Sequence, residues 1–575
     1  MTAPEPPTSA ELAELNHQLT YGTLEQRAAA ADKLAEIRAA VSIEPVHYVS
    51  DRLWNRVGPI GGDLMENSGA DPRNNVPTAT IKVKGTSELV EHFFGCEQTL
   101  VGVEMEVGGL AFPFYVKSHD WEYEKGAYTS TLNCRGIWDI LNYLQIWPVW
   151  WMPIQFQPFS HAVFFGPLVT VIENMISECA IRIQSGINEF LNNALSVNPD
   201  LRAWIGTLLQ SNGNIFTALK TPIYVVRTNP FLDTSPLYAK TVRMESCGTV
   251  ITEITRPYGV DVRVDLWRPG MPQPDRWANL TQVTYVVTVK DRSQVEGPTK
   301  IILDSALRTA VDIQGSLLGN LLAPILNPQG YYAPEGVYIV PQVGLNFGRP
   351  LIAVVAPRPG AEDPRSPIVK MKVSQHTPMG WNHIVGGKSP RWLNDLINAF
   401  LSWIIDAVMI LVGLTGIPSD LLSGFLNDSI MAFQVIQLYG RRADVGPYHP
   451  GIEVFTATNS APYNIEALFS FIIAFWDSRG YTAGQLVVRH GEVIALGRDL
   501  ARGGLMSLVY SSATGAQRLF TDYLELIFWK FSATERDLFL QIGDGRGELP
   551  PIPRLQMLVT GLQEIANVIM LTPNS

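Results

Sequence analysis

The sequence is poor in charge. Asp, Glu, Lys and Arg together make up 17% of its 575 residues, against about 25% in an average soluble protein. Acidic residues outnumber basic ones by 54 to 43, which argues against an extended duplex-binding face, because phosphate neutralisation needs clustered Lys and Arg. We therefore predict a neutral surface suited to protein contacts, and no sequence-specific nucleic-acid partner.

Cysteine is also scarce. Cys96, Cys134, Cys179 and Cys247 lie too far apart for the short spacing of a zinc ligand pair, and we interpret them as buried thiols. Residues 1–9 lack the positive and apolar regions of a secretory signal, which predicts synthesis and folding in the cytoplasm.

The motifs of common enzyme classes are missing or incomplete. There is no Gly-x-Ser-x-Gly elbow and no His-Glu-x-x-His pair. Residues 386–389 (GGKS) resemble the end of a phosphate-binding loop, but Asn382 occupies the place of its first glycine. Asp120, Glu122 and Glu124 alternate along a predicted strand, and we interpret them as a solvated face rather than as metal ligands. We predict no enzyme activity and no cofactor or metal.

Alternating apolar and polar residues predict antiparallel β-strands. The alternation is clear at residues 79–84 and 101–107. Gly108-Gly109 and Lys125-Gly126 supply the positive φ angles of tight turns, so residues 100–134 are predicted to form two consecutive hairpins. Further strands are predicted at 222–227, 240–255, 260–267 and 283–289, and over much of 448–544.

Helices are predicted where apolar residues recur every three or four positions. The N-terminal part contains two capping boxes, Thr8 to Glu11 and Thr23 to Gln26, which predict two short helices within 8–41. The other predicted helices are 137–144, 168–195, 199–210, 392–413, 420–438 and 555–571, and the Pro-rich residues 357–367 are predicted to form a linker or loop.

Residues 140–172 contain no Asp, Glu, Lys or Arg, although they are rich in Trp and Phe. Frequent prolines exclude a regular membrane-spanning helix in the first part of this segment. One interpretation is an ordinary core, and the other is a subunit interface or a membrane-contacting surface. The candidate contact residues are Trp147, Trp150, Trp151, Phe156, Phe164 and Phe165.

The predicted helix 392–413 is the most hydrophobic one and is long enough to span a membrane. Its polar residues recur every three or four positions, and an aspartate in mid-span is costly in lipid, so we predict a helix buried in a protein bundle. It would pack against symmetry mates or against helix 168–195. Its candidate contact residues are Leu396, Phe400, Trp403, Ile404 and Ile410, and Asp395, Asn398, Ser402 and Asp406 would line a narrow polar channel.

Several short stretches, taken in their order along the chain, resemble one protein family. They are 53–56 (LWNR), 79–85, 132–136 (LNCRG), 289–293 (VKDRS), 297–299 (GPT), 386–390 (GGKSP), 392–394 (WLN), 416–418 (GIP), 432–434 (AFQ), 497–500 (GRDL) and 542–544 (IGD). Together they resemble the minor tail proteins of siphophages that infect actinobacteria, of the tail-tip or baseplate hub type.

The resemblance implies a structural protein of the virion, located at the tail tip. Such a hub is a homotrimer that closes the distal end of the tail tube and opens for DNA ejection. It joins the distal tail protein, receives the end of the tape measure protein, carries other minor tail or adhesion proteins, and contacts the host envelope. The alternatives are a glycan-binding tail adhesin and a tip protein whose tryptophans enter the host membrane.

The predicted fold class is α+β and multi-domain, with antiparallel β hub domains, barrel- or sandwich-like, and apolar helical insertions. The predicted units are an N-terminal helical arm (1–45), a first β hub domain (46–145), an apolar helical insertion (146–220), a second β-rich region (221–385), an apolar helical hairpin (386–440), a β-rich C-terminal hub domain (441–548) and a C-terminal helix (549–575).

Overall fold

The computed structural model describes most of the N-terminal half of the chain and separate parts of the rest. The described residues are 14, 15, 18, 22, 23, 25–30, 32, 33, 43–185, 222–291 (except 231, 232, 234, 256 and 257), 352–357, 368–386, 433–457, 478, 480–543 (except 492, 493 and 513–516), 561, 562 and 565.

The described part contains 21 strands and four α-helices, so it is mainly β. The strands are β1 (Val46–Ser50), β2 (Arg56–Pro59), β3 (Leu64–Pro72), β4 (Thr78–Lys84), β5 (Gly102–Val107), β6 (Leu110–Glu124), β7 (Ala127–Gly136), β8 (Ala162–Pro167), β9 (Ile223–Val225), β10 (Leu237–Val242), β11 (Val260–Trp267), β12 (Thr284–Asp291), β13 (Ile352–Val355), β14 (Ile368–His376), β15 (Asn382–Gly386), β16 (Phe433–Gln437), β17 (Glu453–Ala457), β18 (Tyr481–Arg489), β19 (Leu505–Ser511), β20 (Gln517–Ser532) and β21 (Arg536–Ile542). The helices are α1 (Val90–Phe94), α2 (Leu168–Gln184), α3 (Cys247–Thr255) and α4 (Tyr439–Val445), and short 3-10 turns lie at Gly61–Asp63, Gly95–Glu97, Ile137–Tyr143 and Ile154–Phe156.

Two distant parts of the chain build one sheet of 13 strands. Its main path runs β14-β18-β21-β20-β3-β4-β7-β6-β5-β1-β2, and β19 and β13 continue from β20. The described strand pairs are antiparallel except β9 with β12, β13 with β19, and β15 with β17. The fold is therefore α+β with mostly antiparallel sheets, as the alternation predicted.

The N- and C-terminal parts meet where β3 pairs with β20. Gly69 lies directly opposite Trp529, and a Cβ at Gly69 would come within 2.4 Å of Trp529 Cζ2. The Trp529 indole is fully buried and packs near Phe112 and Phe114, with ring centroids 5.4 and 6.3 Å away. A glycine is therefore needed for this indole to lie flat against β3 and fill the shared core.

The two hairpins predicted over residues 100–134 are confirmed. Strand β5 pairs with β6, and β6 pairs with β7, in both cases antiparallel. Gly108 and Gly109 have φ angles of 58° and 83°, and Lys125 and Gly126 have φ angles of 49° and 90°. Both central residues of each turn are thus left-handed, as two-residue hairpin turns require.

A second hydrophobic core lies outside the large sheet. It is enclosed by α2, α3, the β8–β10 pair and the three-stranded sheet β11-β12-β9. The 3-10 turn Ile137–Tyr143, predicted as a helix, contributes Ile137, Trp138 and Leu141 to this core. Two separate cores confirm that the protein is multi-domain.

Two predictions in this region were wrong at their ends. The strand predicted over 240–255 ends at Val242, and α3 follows, because Cys247, Val250, Ile251 and Ile254 share the buried face of a helix. The helix predicted over 168–195 ends at Gln184, whose side-chain amide instead bonds both the N–H and the C=O of Ile223 in β9.

Other predicted elements have mixed outcomes. Residues 14, 15, 18, 25–30, 32 and 33 are helical. The second predicted capping box is confirmed, because Gln26 N–H donates to Thr23 Oγ1 (3.3 Å) and Thr23 N–H donates to Gln26 Oε1 (2.9 Å). The first, Thr8 to Glu11, lies outside the described residues. Residues 433–437, predicted as helix, are strand β16 because they pair with β15. The strands β13 and β14 pair with β19 and β18 of the large sheet. The predicted helices 199–210 and 392–413, and the predicted loop 357–367 apart from Pro357, lie outside the described residues.

Burial of His47 predicts acid sensitivity. Its Nε2 accepts a hydrogen bond from Asn67 Nδ2 (2.6 Å), and burial lowers the pKa of His47 from 6.5 to about 4. Because the unfolded chain takes up the proton first, stability falls as the pH drops from 6.5 to about 4, by roughly 3 kcal/mol for this residue. Urea unfolding at pH 7 and pH 4.5 should show a smaller acid loss for His47→Gln than for the wild type, and equal losses would contradict this assignment.

Candidate assembly surfaces

The charge-free segment begins as an irregular arm that one glutamine side chain holds together. Three prolines between 147 and 159 remove backbone donors, so the backbone cannot close a regular helix. Gln157 Oε1 accepts from Val149 N–H (2.7 Å), and its Nε2 donates to the carbonyls of Val149 (3.1 Å), Met152 (3.0 Å) and Pro153 (3.2 Å). This side chain fixes the course of the arm where regular backbone bonds are missing.

The segment continues into β8, where side chains alternate between core and solvent. Ala162 and Phe164 point into the second core, while Val163 and Phe165 point outward. Strand β10 pairs along the whole length of β8, from Val242 opposite Ala162 to Leu237 opposite Pro167. The outward residues are therefore held on regular sheet.

The segment leaves large apolar side chains in contact with solvent. We call this set the aromatic surface; it consists of Trp151, Ile154, Phe156, Phe159, Val163 and Phe165, which are 44% to 60% exposed. With no Asp, Glu, Lys or Arg between 140 and 172, these groups have no charged neighbours within the segment. Such a concentration of exposed apolar groups marks a contact site on a protein surface.

The predicted contact residues of this segment differ in their exposure to solvent. Trp151, Phe156 and Phe165 are exposed, but Phe164 is buried, because strand alternation places it opposite Phe165. Trp147 and Trp150 are half-buried, and the guanidinium carbon of Arg182 lies 3.9 Å from the Trp147 ring centroid. The other predicted site residues, Leu396, Phe400, Trp403, Ile404, Ile410, Asp395, Asn398, Ser402 and Asp406, lie outside the described residues.

A second surface, which was not predicted from the sequence, is the far end of the β6–β7 hairpin, residues 117–128; we call it the hairpin tip. Trp121 stacks on Tyr128 with ring centroids 5.0 Å apart, and Tyr123 lies 4.9 Å from Tyr128. Phe94 of α1 adds an edge contact to Trp121 at 5.5 Å. Tyr123 and Tyr128 are more than half exposed, so this aromatic face stands in solvent.

The opposite face of the hairpin tip is acidic. Asp120, Glu122 and Glu124 are exposed, and Asn133 Nδ2 donates to Asp120 Oδ2 (2.8 Å). Within the described part of the chain, no three His, Cys, Asp or Glu side chains are grouped closely enough to hold a metal ion. The geometry therefore provides a row of solvated negative charges.

The hairpin tip also has an open edge, and so does β14, the strand at one end of the main path of the large sheet. Strand β5 pairs with β6 only as far as Tyr115, so among the described strands none flanks residues 117–124 on that side. Among the described strands, β14 pairs only with β18. Strand β14 exposes Lys370 and Lys372, so one open edge is acidic and the other is basic.

Buried charges join the two cores. Arg502 donates to Asp71 Oδ1 (2.9 Å), to the carbonyl of Pro72 (3.1 Å) and to that of Val262 (3.2 Å), and it lies 3.7 Å from Asp261 Oδ1. Burial raises the pKa of Asp71, and the positive charge of Arg502 opposes this rise. The guanidinium of Arg502 thus contacts and connects three chain segments that are more than 180 residues apart in the sequence.

Residues 53–56, part of the noted resemblance, lie at the same junction. Trp54 has a φ of 62°, which is unusual for a bulky residue, and its Nε1 donates to Tyr285 Oη (2.9 Å). Arg56 and Arg268 both reach the buried carboxylate of Glu104, at 3.2 and 2.7 Å. A cleft of about 520 Å³ opens beside Trp54 and Tyr285. These residues therefore have a structural role between the two cores.

Among the described helices, none combines the length and the apolar character needed to cross a membrane.

No family model matches the chain, and no curated protein matches it. Solved structures similar to it include the tail protein from Neisseria meningitidis MC58, with a TM-score of 0.37, 9% identity, and coverage of 88% of this chain and 98% of that chain. The 43 kDa tail protein of prophage MuSo2 from Shewanella oneidensis has a TM-score of 0.38, 7% identity, and coverage of 88% and 99%. The prophage tail protein gp18 from Listeria monocytogenes has a TM-score of 0.34, 10% identity, and coverage of 91% and 99%. Similarities this low do not establish a function.

Proposed function

We propose that this chain is a structural protein of a bacteriophage tail, which acts by assembly and forms a homotrimeric hub at the distal tip of a siphophage. The observation that carries the proposal is the aromatic surface, where six large apolar side chains are exposed on an ordered, charge-free segment. Permanent interfaces bury large apolar areas that resemble a domain core. A surface of this kind is suited to burial in an assembly.

The place in the tail follows from the sequence resemblance. Two of the motifs lie at contacts between distant parts of the chain. Residues 53–56 lie at the junction of the cores. Residues 497–500 form a turn against the β5–β6 hairpin, where a Cβ at Gly108 would meet Leu496 O at 2.2 Å. In the proposed hub, the partners are the distal tail protein, the tape measure protein and adhesion proteins, and the trimer opens for DNA ejection.

Self-association is supported by two of the open edges of the large sheet, the one at the hairpin tip and the one at β14. The acidic row Asp120, Glu122 and Glu124 on one edge complements Lys370 and Lys372 on the other. Because the two edges belong to different strands, β6 and β14, contact between them is head-to-tail, and a head-to-tail contact closes into a ring when its rotation permits. Like charges keep each edge from pairing with itself.

The aromatic surface is tested by placing charge on it. Phe156→Asp combined with Phe165→Asp is expected to convert the trimer into monomers, because an aspartate buried in an apolar interface costs several kcal/mol. Sedimentation velocity measures the change directly. Trp277→Asp is the matched control, since Trp277 is 76% exposed outside this surface and should leave the trimer intact.

A trimer that survives both aspartates would exclude the aromatic surface from the subunit interface. Equal dissociation of the Trp277→Asp protein would show that any added surface charge acts in this way, and would remove the support for the proposal.

The second candidate function is engagement of the host membrane at the tail tip. Exposed Trp151, Phe156 and Phe165 favour it, because aromatic side chains prefer the lipid interface. Flotation of the full-length protein with phosphatidylglycerol–phosphatidylethanolamine vesicles separates the two functions. Loss of flotation in the double aspartate variant, with its trimer unchanged, would favour the membrane role.

A further inference from the structure

Two of the four cysteines face each other in the second core. Cys179 in the middle of α2 and Cys247 at the start of α3 have their Sγ atoms 3.7 Å apart. Their thiols are 2% and 0% exposed, and both are reduced in the structure. A disulfide requires the two Sγ atoms to approach to about 2.0 Å, so the gap that remains to be closed is short.

A buried cation lies beside this pair, and the described residues provide no counter-ion for it. Arg182 is 7% exposed and lies one helical turn after Cys179. Its Nη2 donates to the carbonyl of Gln145 (2.8 Å), its Nη1 has no hydrogen-bond partner, and no carboxylate in the described part of the chain forms an ion pair with it. Buried guanidinium groups are normally paired, so this site favours an anion nearby.

The Cys179 thiol can supply that anion. Its Sγ donates to the same Gln145 carbonyl (3.2 Å). The contact with Cys247 lowers the pKa of Cys179, burial opposes this fall, and Arg182 adds to it. The same contact and burial both raise the pKa of Cys247. The carboxyl group of Glu178 acts in the opposite direction, but burial raises its own pKa to about 7, so it is partly neutral at that pH. Because Cys179 is the thiol that lies one helical turn from the Arg182 cation, we assign it as the nucleophile of the pair and Cys247 as the resolving thiol.

We propose that Cys179 and Cys247 are a site of covalent modification, at which a small two-electron oxidant such as hydrogen peroxide forms an intramolecular disulfide. The Cys179 thiolate attacks one peroxide oxygen, the O–O bond breaks, and sulfenic acid and hydroxide form. The hydroxide takes up the proton that Cys179 released and becomes water. Cys247 sulfur then attacks Cys179 sulfur, and the departing hydroxide takes the Cys247 proton. In sum, two thiols and one peroxide become one disulfide and two waters.

The bond joins residues 68 positions apart and ties α2 to α3. Because it restricts the unfolded chain, it stabilises the second core against unfolding. The residues concerned are buried, so a small oxidant reaches them through transient opening of the core. The inference does not depend on the proposed tail function.

The test treats the full-length protein with hydrogen peroxide or with dithiothreitol, unfolds it in N-ethylmaleimide, and counts modified thiols by mass spectrometry. The reduced protein should carry four labels, one for each cysteine. After oxidation, Cys96 and Cys134 should remain labelled, a peptide pair linked through Cys179 and Cys247 should appear, and the thermal unfolding midpoint should rise until dithiothreitol is added.

Cys96→Ser should still form the linked peptide pair, whereas Cys247→Ala should not and should show no rise in the unfolding midpoint. Full labelling of Cys179 and Cys247 after oxidation would overturn the proposal. So would sulfinic acid on Cys179 of the wild type without the linked pair. Both results are read from the wild-type protein, so the proposal remains testable if a variant does not fold.

Discussion

Replacing Arg502 by methionine is expected to lower the free energy of unfolding by about 3–5 kcal/mol, the usual effect of removing one partner of a buried ion pair. Methionine retains most of the buried volume, but it leaves Asp71 without its 2.9 Å partner and Asp261 without the nearby positive charge. The carbonyls of Pro72 and Val262 also lose a donor. Guanidinium unfolding followed by tryptophan fluorescence measures the loss.

Arg276→Met is the matched control, because Arg276 is exposed and should tolerate the change. Adding Asp71→Asn to Arg502→Met should recover part of the loss, because an amide is less costly to bury than an unpaired carboxylate. If Arg502→Met unfolds at the same denaturant concentration as the control, the two cores are not held together by this guanidinium.

Reversing the acidic row of the hairpin tip is expected to dissociate the proposed trimer. Asp120→Lys, Glu122→Lys and Glu124→Lys together would place three positive charges against Lys370 and Lys372 of the next subunit. Like charges across an interface cost several kcal/mol, so the dissociation constant should rise by about a hundredfold or more. Light scattering over a dilution series measures it, and the effect should be larger at low salt.

The reciprocal change provides the decisive control. Adding Lys370→Glu and Lys372→Glu to the triple variant restores opposite charges and should restore the trimer. Glu453→Lys, an exposed reversal on β17, should have no effect. Failure of the reciprocal change to rescue a folded triple variant would show that the two edges do not meet.

Much of the local structure could be predicted from the sequence. The β5–β6–β7 hairpins combine clear alternation with Gly108-Gly109 and Lys125-Gly126 at the turns, and these signals agree. At 247–255 they conflict: Thr, Val and Ile favour a strand, while the spacing of Cys247, Val250, Ile251 and Ile254 indicates a helix. The segment is a helix because a helix buries the face formed by these four residues in the second core.

Long-range pairing could not be predicted. Strands β3 and β20 lie more than 440 residues apart, and the fit of Gly69 against Trp529 becomes visible only when both are placed. The same holds for Arg502, whose partners Asp71 and Asp261 come from two other segments. A polar residue in a sequence does not show which distant charge it will meet.

The candidate surfaces were predicted in part. The missing charge and the abundant aromatics of 140–172 indicated the aromatic surface, although alternation along β8 places Phe164 in the core. At the hairpin tip, the three carboxylates were correctly predicted to form a solvated strand face, but the aromatic face opposite them was missed. The signal was present in their alternation with Trp121 and Tyr123, which predicts a strand with one acidic and one aromatic face.

The central claim, that the chain works as an assembled hub, is tested most directly by its molar mass in solution. Light scattering on a sizing column, with and without mild detergent, should give about three times 63.6 kDa in both buffers. A particle of 63.6 kDa at every concentration would contradict the homotrimer, and a mass that depends on detergent would contradict the assignment of the aromatic surface to a subunit interface.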